Sequence, residues 1–176
     1  MLVLIKGAGD LATGTAVRLY RAGIKVVMTE VARPTAVRRT VAFSQCMYDG
    51  AAQVEGISAR RAEDAGAARR ALERGEVPVL CDPEAAILRE LPFDGVVDAI
   101  LAKRNLGTAI TDAPVVLALG PGFTAGVDCH GVVETMRGHD LGRLLTRGSA
   151  VPNTGVPGDV GGYTTQRIIR APADGV

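Results

Sequence analysis

The chain has 176 residues, 47% of them hydrophobic, with a net charge of +1 and no tryptophan. That supplies a core for one α/β domain with a modest extension and argues against disorder. The near-neutral charge and an aromatic content of 3% argue against a dedicated nucleic-acid binder, which needs a basic face or base-stacking rings. No apolar run approaches the roughly 20 residues of a membrane span. The amino terminus enters a strand directly, so no signal peptide is expected. Cys46, Cys81 and Cys129 lack the spacing of a disulfide framework or a zinc site. A reducing cytoplasm is the expected location, and no metal site is expected.

The first predicted element is a strand at Leu2–Ile5, followed at once by Lys6-Gly7-Ala8-Gly9-Asp10-Leu11-Ala12 and a helical pattern that ends before Gly23. A strand, a Gly-x-Gly-x-x-Ala turn and a helix open a dinucleotide-binding βαβ unit. Gly7 turns the chain tightly, Gly9 lets backbone N–H groups approach a pyrophosphate, and Ala12 lets the helix pack close to the strand. A second strand runs over Ile24–Glu30. Glu30 stands where an acid accepts hydrogen bonds from an adenosine ribose. Two residues sit oddly in this pattern: Asp10 puts a carboxylate beside the pyrophosphate position, and Lys6 charges a strand that is usually apolar.

Pro34 fits the first turn of a new helix carrying Thr35–Arg39. Arg33, Arg38 and Arg39 follow the acid closely and suit a 2′-phosphate or another anion, or else a solvated basic face. Cys46, in the apolar stretch that follows, is expected to be a small core residue rather than a nucleophile. Gln53–Arg61 reads as a short strand or extended segment, Ala62–Arg74 as a helix, and Val77–Cys81 as a buried strand that Pro78 shortens or delays. A capped helix from Asp82 to Arg89 and a strand over Val96–Leu101 come next. Strands alternating with helices predict a doubly wound, mostly parallel sheet, a Rossmann-like α/β fold, with ligands beyond the carboxyl ends of the strands.

Beyond Ala102 the character changes. Lys103, Arg104 and Asn105 form a polar loop. A strand at Pro114–Leu119 leads into a second glycine-rich loop, where Gly120 and Gly122 allow close approach of backbone to a ligand. His130, Glu134, Arg137 and His139 follow within ten positions and suit general acid–base work or anion recognition. The segment Gly161–Arg170 alternates like a strand and runs into Ala171-Pro172-Ala173-Asp174-Gly175, which resembles the start of a biotinyl/lipoyl-like barrel-sandwich module. The expected division is a Rossmann-like domain over 1–150 and a short β-rich extension over 151–176, the start of a truncated module.

Together these residues resemble the YqeB family. The resemblance is carried by Lys6–Gly14, Thr29-Glu30, Arg33-Pro34, Arg38–Phe43, Tyr48–Gly50, Val54–Gly56, Lys103–Asn105, Leu119–Phe123, Glu134-Thr135, Arg137–His139, Leu141–Arg143 and Ala171–Gly175. It spans nearly the whole chain. It implies a cytoplasmic accessory protein of the selenium-dependent molybdenum hydroxylase system, related to XdhC-type chaperones that share a Rossmann-like domain. Its partners would be the molybdenum hydroxylase apoenzyme or other proteins of the cofactor pathway.

The expected ligand is a nucleotide or the nucleotide-bearing molybdenum cofactor. Gly7, Gly9, Asp10 and Ala12 would surround phosphate and Glu30 would take ribose. Arg33, Arg38, Lys103, Arg104 and Asn105, with Gly120 and Gly122, would hold further groups. His130, Glu134, Arg137 and His139 would line the reacting side. Two other readings stand beside it. One is an NAD(P)-dependent oxidoreductase, which the glycine motif alone favours although no Tyr-x-x-x-Lys pair accompanies it. The other is an interaction module with a vestigial nucleotide site. A sheet edge or a helix face is available for a homodimer, and nothing in the sequence selects one.

Overall fold

The computed structural model describes residues 1–169 and 172–173. Its framework is one nine-stranded sheet. The strands are β1 (Leu2–Lys6), β2 (Lys25–Glu30), β3 (Ala51–Val54), β4 (Ile57–Ala62), β5 (Val77–Cys81), β6 (Gly95–Asp98), β7 (Val115–Leu119), β8 (Gly131–Val133) and β9 (Leu144–Leu145). Their order is β3-β4-β5-β2-β1-β6-β7-β8-β9. All pairings are parallel except β3–β4 at one edge and β8–β9 at the other. Within it, β5-β2-β1-β6-β7-β8 has the sequence order of a Rossmann sheet, and the direction of winding reverses between β1 and β6. The predicted fold class is the observed one.

Alternation along each strand divides the apolar residues between two cores. Leu4, Val27, Leu80, Val96, Val116 and Val132 face one side, together with Phe93 and Phe123. Val3, Ile5, Val26, Met28, Val79 and Val97 face the other. Helix α1 (Asp10–Arg21) covers the second face with Ala12, Thr13, Ala16 and Val17, small residues that let it lie close to β1. On the first face lies α3 (Ala65–Glu73), which buries Ala65, Ala68 and Ala71. Asp64 caps it by accepting from the Ala67 N–H at 2.7 Å, which is why it starts three residues later than composition suggests. A single turn, α2 (Cys46–Asp49), carries the buried Cys46 and Met47.

Several elements differ from expectation. The segment after Pro34 is a loop, with one 3-10 turn at Arg39–Val41. The Pro34 carbonyl accepts from the Tyr48 hydroxyl at 2.7 Å, so it is spent on a tertiary bond rather than on a helix. Gln53–Arg61 is not one extended segment but a hairpin: Glu55 and Gly56 both have positive φ (50° and 79°), the backbone of a tight two-residue turn. The helix expected from Asp82 is a 3-10 turn at Ala86–Arg89. Asp82 does cap it, accepting from the Ala86 and Ile87 N–H groups at 2.9 Å each, but the left-handed Ala85 interrupts the chain before it. Pro78 delays its strand on one side, as expected: β2 pairs with β5 only from Val79 onward.

The strand at Val96–Leu101 stops at Asp98, because the Asp98 carboxylate takes the Ile100 N–H at 3.2 Å. The connections β6–β7 and β7–β8 contain no helix. In place of the strand expected at Gly161–Arg170, residues 161–169 hold turns, an isolated bridge between Val160 and Tyr163 and a 3-10 turn at Thr165–Arg167. Most of that segment is exposed, and alternation alone offered it no partner strand. Arg170, the end of that expected strand, lies outside the described residues, as do Ala171, Asp174 and Gly175, three of the five residues of the expected start of a barrel-sandwich module. No helix among the described residues is long and apolar enough to cross a membrane.

Candidate functional site

Several clefts lie beyond the carboxyl ends of the central strands. The first, of about 310 Å³, opens where the winding reverses, between the ends of β1 and β6; Gly7, Gly9, Asp10, Ala12 and Glu30 all line it, with Ala99–Leu101 as the opposite wall. Gly7 is required there on two counts. Its φ is +94°, and a Cβ would sit 2.9 Å from the Ala99 carbonyl oxygen. Gly9 is a different case: its φ is −63°, and a Cβ there would meet nothing within 4 Å. The space beside Gly9 is the cleft itself.

Other residues hold the glycine turn from behind. The Ala8 carbonyl accepts from the Ser44 N–H at 2.8 Å and from the Thr13 hydroxyl at 3.2 Å. Thr13 in turn accepts from the Phe43 N–H at 2.9 Å. Glu30 accepts from the Ala8 N–H at 2.9 Å and from the Val31 N–H at 2.8 Å, one bond to each oxygen. A carboxylate has further lone pairs for hydroxyl donors, so Glu30 both braces the turn and presents acceptors to the cleft. Asp10 accepts from the Leu11 N–H at 2.9 Å and is paired with Arg38. The odd carboxylate beside the turn is thus neutralised by one of the arginines expected to meet a ligand anion. The N–H groups of Gly9, Asp10 and Ala12 have no acceptor among the described residues. They point from the start of α1, where the helix dipole favours an anion. Arg33 is exposed in the neighbouring loop and lines neither cleft.

Lys6, the charge in a strand, has a partner that the sequence did not reveal. Its Nζ donates to the Thr108 hydroxyl at 2.6 Å, and that hydroxyl donates to Asp98 Oδ2 at 2.6 Å. Lys6 Nζ and Asp98 Oδ2 are 4.0 Å apart. All three side chains are at most 3% exposed. Asn105 holds Thr108 in place, accepting from the Gly107 and Thr108 N–H groups and donating to the Thr108 carbonyl. Its side chain serves the loop rather than the cleft. The signal available in sequence was Asp98 at the carboxyl end of a strand that neighbours β1.

The second cleft, of about 270 Å³, lies beyond β7 and β8 and takes in Lys103 and Arg137. The glycine-rich loop after β7 packs on the chain itself: a Cβ on Gly122 would lie 2.6 Å from Arg104 Cα, and one on Gly120 would lie 2.7 Å from the Thr135 hydroxyl. These close approaches fix the Lys103-Arg104 segment. Arg104 is exposed and lines neither cleft.

The histidine group does not come together. His130 precedes β8 and Glu134 follows it, at opposite ends of the strand and roughly 13 Å apart at about 3.3 Å per residue. His130 Nδ1 accepts from the Val116 N–H at 3.0 Å near the start of β7. Arg137 and His139 are exposed beyond the other end. Glu134 is 4% exposed. It accepts three backbone N–H bonds, from Thr135 at 2.8 Å, Met136 at 2.7 Å and Val151 at 2.8 Å. Burial pushes its pKa up, and the three N–H bonds outweigh that, holding it below its ordinary value of 4.5. Cys46 is equally far from reactive: burial pushes its thiol up to about 12. Among the described residues no three His, Cys, Asp or Glu side chains group as metal ligands do.

A depressed native pKa gives a definite pH dependence. The stability that Glu134 contributes is complete above the unfolded carboxylate value and is lost as pH falls through the native one. Glu134→Gln should cost roughly 1.5–3 kcal/mol at neutral pH, the value of hydrogen bonds to a charged group, and the gap should close in acid. Urea titrations of both proteins from pH 7 to pH 3 check this; parallel curves would refute it.

No family model matches the chain, and no solved structure matches it. It is 57% identical over 175 residues to the protein named "Uncharacterized protein YqeB" of Escherichia coli (strain K12); the match takes in 99% of this chain and 32% of that protein. The chain therefore spans about a third of the length of the curated relative it matches. The likeness to that protein extends over nearly the whole of this chain.

Proposed function

We propose that the chain binds a nucleotide through its phosphates at the glycine turn. In that role it serves as an accessory protein in the maturation of a selenium-dependent molybdenum hydroxylase, with the nucleotide-bearing molybdenum cofactor as its ligand. One observation carries the binding reading: the cleft at the winding reversal joins open space at Gly9, N–H donors at the start of α1, and the acceptors of Glu30. That donor set suits a diphosphate next to a ribose. The maturation role rests on the resemblance, and the hydroxylase apoenzyme is the partner it implies. In this reading Gly9, Asp10 and Ala12 seat phosphate through their N–H groups, Glu30 takes ribose hydroxyls, and Arg38 offsets the Asp10 charge that lines the cleft. When bound, the molybdenum cofactor would bring its own metal chemistry; the chain would bind and orient it.

A thermal-shift panel with NAD, NADP, CTP, GDP and isolated molybdenum cofactor tests the reading. A ligand at about 100 times its Kd adds roughly 2.7 kcal/mol, or several degrees for a chain of this size. Stabilisation by the cofactor or its nucleotide is the expected result. A shift with NAD or NADP alone would instead make the chain a dinucleotide-dependent redox protein. No shift with any of them would leave the turn as scaffold and overturn the reading.

A further inference from the structure

The second cleft shares no lining residue with the glycine-turn cleft, and its electrostatics differ. Lys103 and Arg137 both line it, and no carboxylate does. Neither cation makes an ion pair with an acid among the described residues. Of the two acids three residues from Arg137, Glu134 is turned inward onto backbone N–H groups and Asp140 is paired with Arg143. Neutral donors complete the wall: Thr135, Asn153 and Thr154.

Lys103 is also held in an unfavourable backbone state. Its φ is +62°, and that of Leu101 is +60°, a region that side chains other than glycine enter at a cost. The loop tolerates this because it is fixed from several sides. The Ala99 N–H bonds the Lys6 carbonyl, and Asp98 takes the Ile100 N–H. Thr108 ties the far end of the loop to Lys6 and Asp98. Gly122, with φ +109°, lies so near Arg104 that any Cβ would collide. Strain maintained by the surrounding structure, at a cation that lines an acid-free cleft, is how a preorganised anion site is built.

We propose that Lys103 and Arg137 form an oxyanion-binding site, separate from the glycine turn, that takes the phosphate or carboxylate group of a small anionic ligand. The proposal goes beyond the nucleotide reading and does not rest on it.

The test is an amide-resolved NMR titration of the full chain, at low ionic strength, with inorganic phosphate and with succinate. Saturable shifts at Lys103, Thr135 and Asn153 are expected with at least one of them, and which one decides between phosphate and carboxylate. Lys103→Gly removes the charge and suits the positive φ, so its melting temperature should equal or exceed that of the parent. Arg137→Gln alters an exposed side chain. Each should raise the Kd at least tenfold, whereas Gly9→Asp should leave it unchanged. No saturable shift with either anion would overturn the proposal. So would shifts confined to Gly9–Ala12, or variants that bind within twofold of the parent.

Discussion

Gly7→Ala should unfold or badly destabilise the chain, while Gly9→Asp should fold normally and fail to bind the ligand. The two glycines stand two residues apart in one motif, yet they answer to different physics. At Gly7 the backbone has φ +94°, and a Cβ would meet the Ala99 oxygen at 2.9 Å and the Ile100 Cα at 3.2 Å. The left-handed backbone costs about 1–2 kcal/mol, and crowding β1 against the segment after β6 adds about 1–3 kcal/mol. A domain stable by roughly 5–15 kcal/mol loses a large share of that. Gly9 is the N-cap of α1, with ordinary φ and open space around it. Asp is at least as good an N-cap as Gly, so stability should move by only a few tenths of a kcal/mol. The new carboxylate would occupy the space proposed for phosphate. A hundredfold loss of affinity, about 2.8 kcal/mol, is a modest expectation when like charges are forced together. Urea unfolding and calorimetry with the best ligand of the panel read the two effects separately. Gly9→Asp protein that binds like the parent would remove the phosphate assignment, whatever the fate of Gly7→Ala.

What the sequence disclosed and what it hid divide along range of interaction. The glycine turn was legible because all its requirements are local: a strand, a reversal at Gly7, a small residue at Ala12 and an acid ending the next strand. The apolar runs of β1, β2, β5 and β6 were legible as strands for the same reason. The loop at Pro34 was not, since a tyrosine hydroxyl fourteen residues away takes the carbonyl that a helix would have used. The histidine group misled because nearness in sequence is not nearness in space. Three residues of β8 suffice to place His130 and Glu134 at opposite ends of the sheet. Glu134 was singled out for its charge, and its three backbone bonds show what the charge does: it fastens the segment after β8 to residue 151. Asn105, read as a ligand residue, holds the turn that presents Thr108. Lys103 and Arg137 were assigned different roles, and the fold sets them in one cleft. The β7–β8 connection is the glycine-rich loop that the sequence suggested, but its glycines signal close approach without saying to what.

Lys6→Met should cost about 3–5 kcal/mol, the loss expected when one member of a buried charge pair is removed and the other stays. The reason lies in what would remain. Asp98 is 1% exposed, and its carboxylate would keep only the Thr108 hydroxyl and the Ile100 N–H as partners. Methionine fits the volume of the lysine stem, so the effect isolates charge from packing. Thr108→Val should act in the same direction, since it removes the hydroxyl that relays between the two charges at 2.6 Å on either side. The double variant Lys6→Met, Asp98→Leu should recover much of the loss, because replacing a buried pair with apolar residues is often neutral. Urea unfolding of the parent, Lys6→Met, Asp98→Leu and the double variant gives the coupling. Lys6→Met with the stability of the parent would show that the pair is not energetically joined. The position of this cluster gives the result a second meaning. Lys6 ends β1, Asp98 ends β6, and Thr108 closes the loop that runs between the two clefts. If the cluster anchors that loop, the double variant should be stable and yet show faster amide exchange over residues 99–108, where φ is positive at Leu101 and Lys103. Unchanged exchange there would separate the stability of the sheet from the order of the loop.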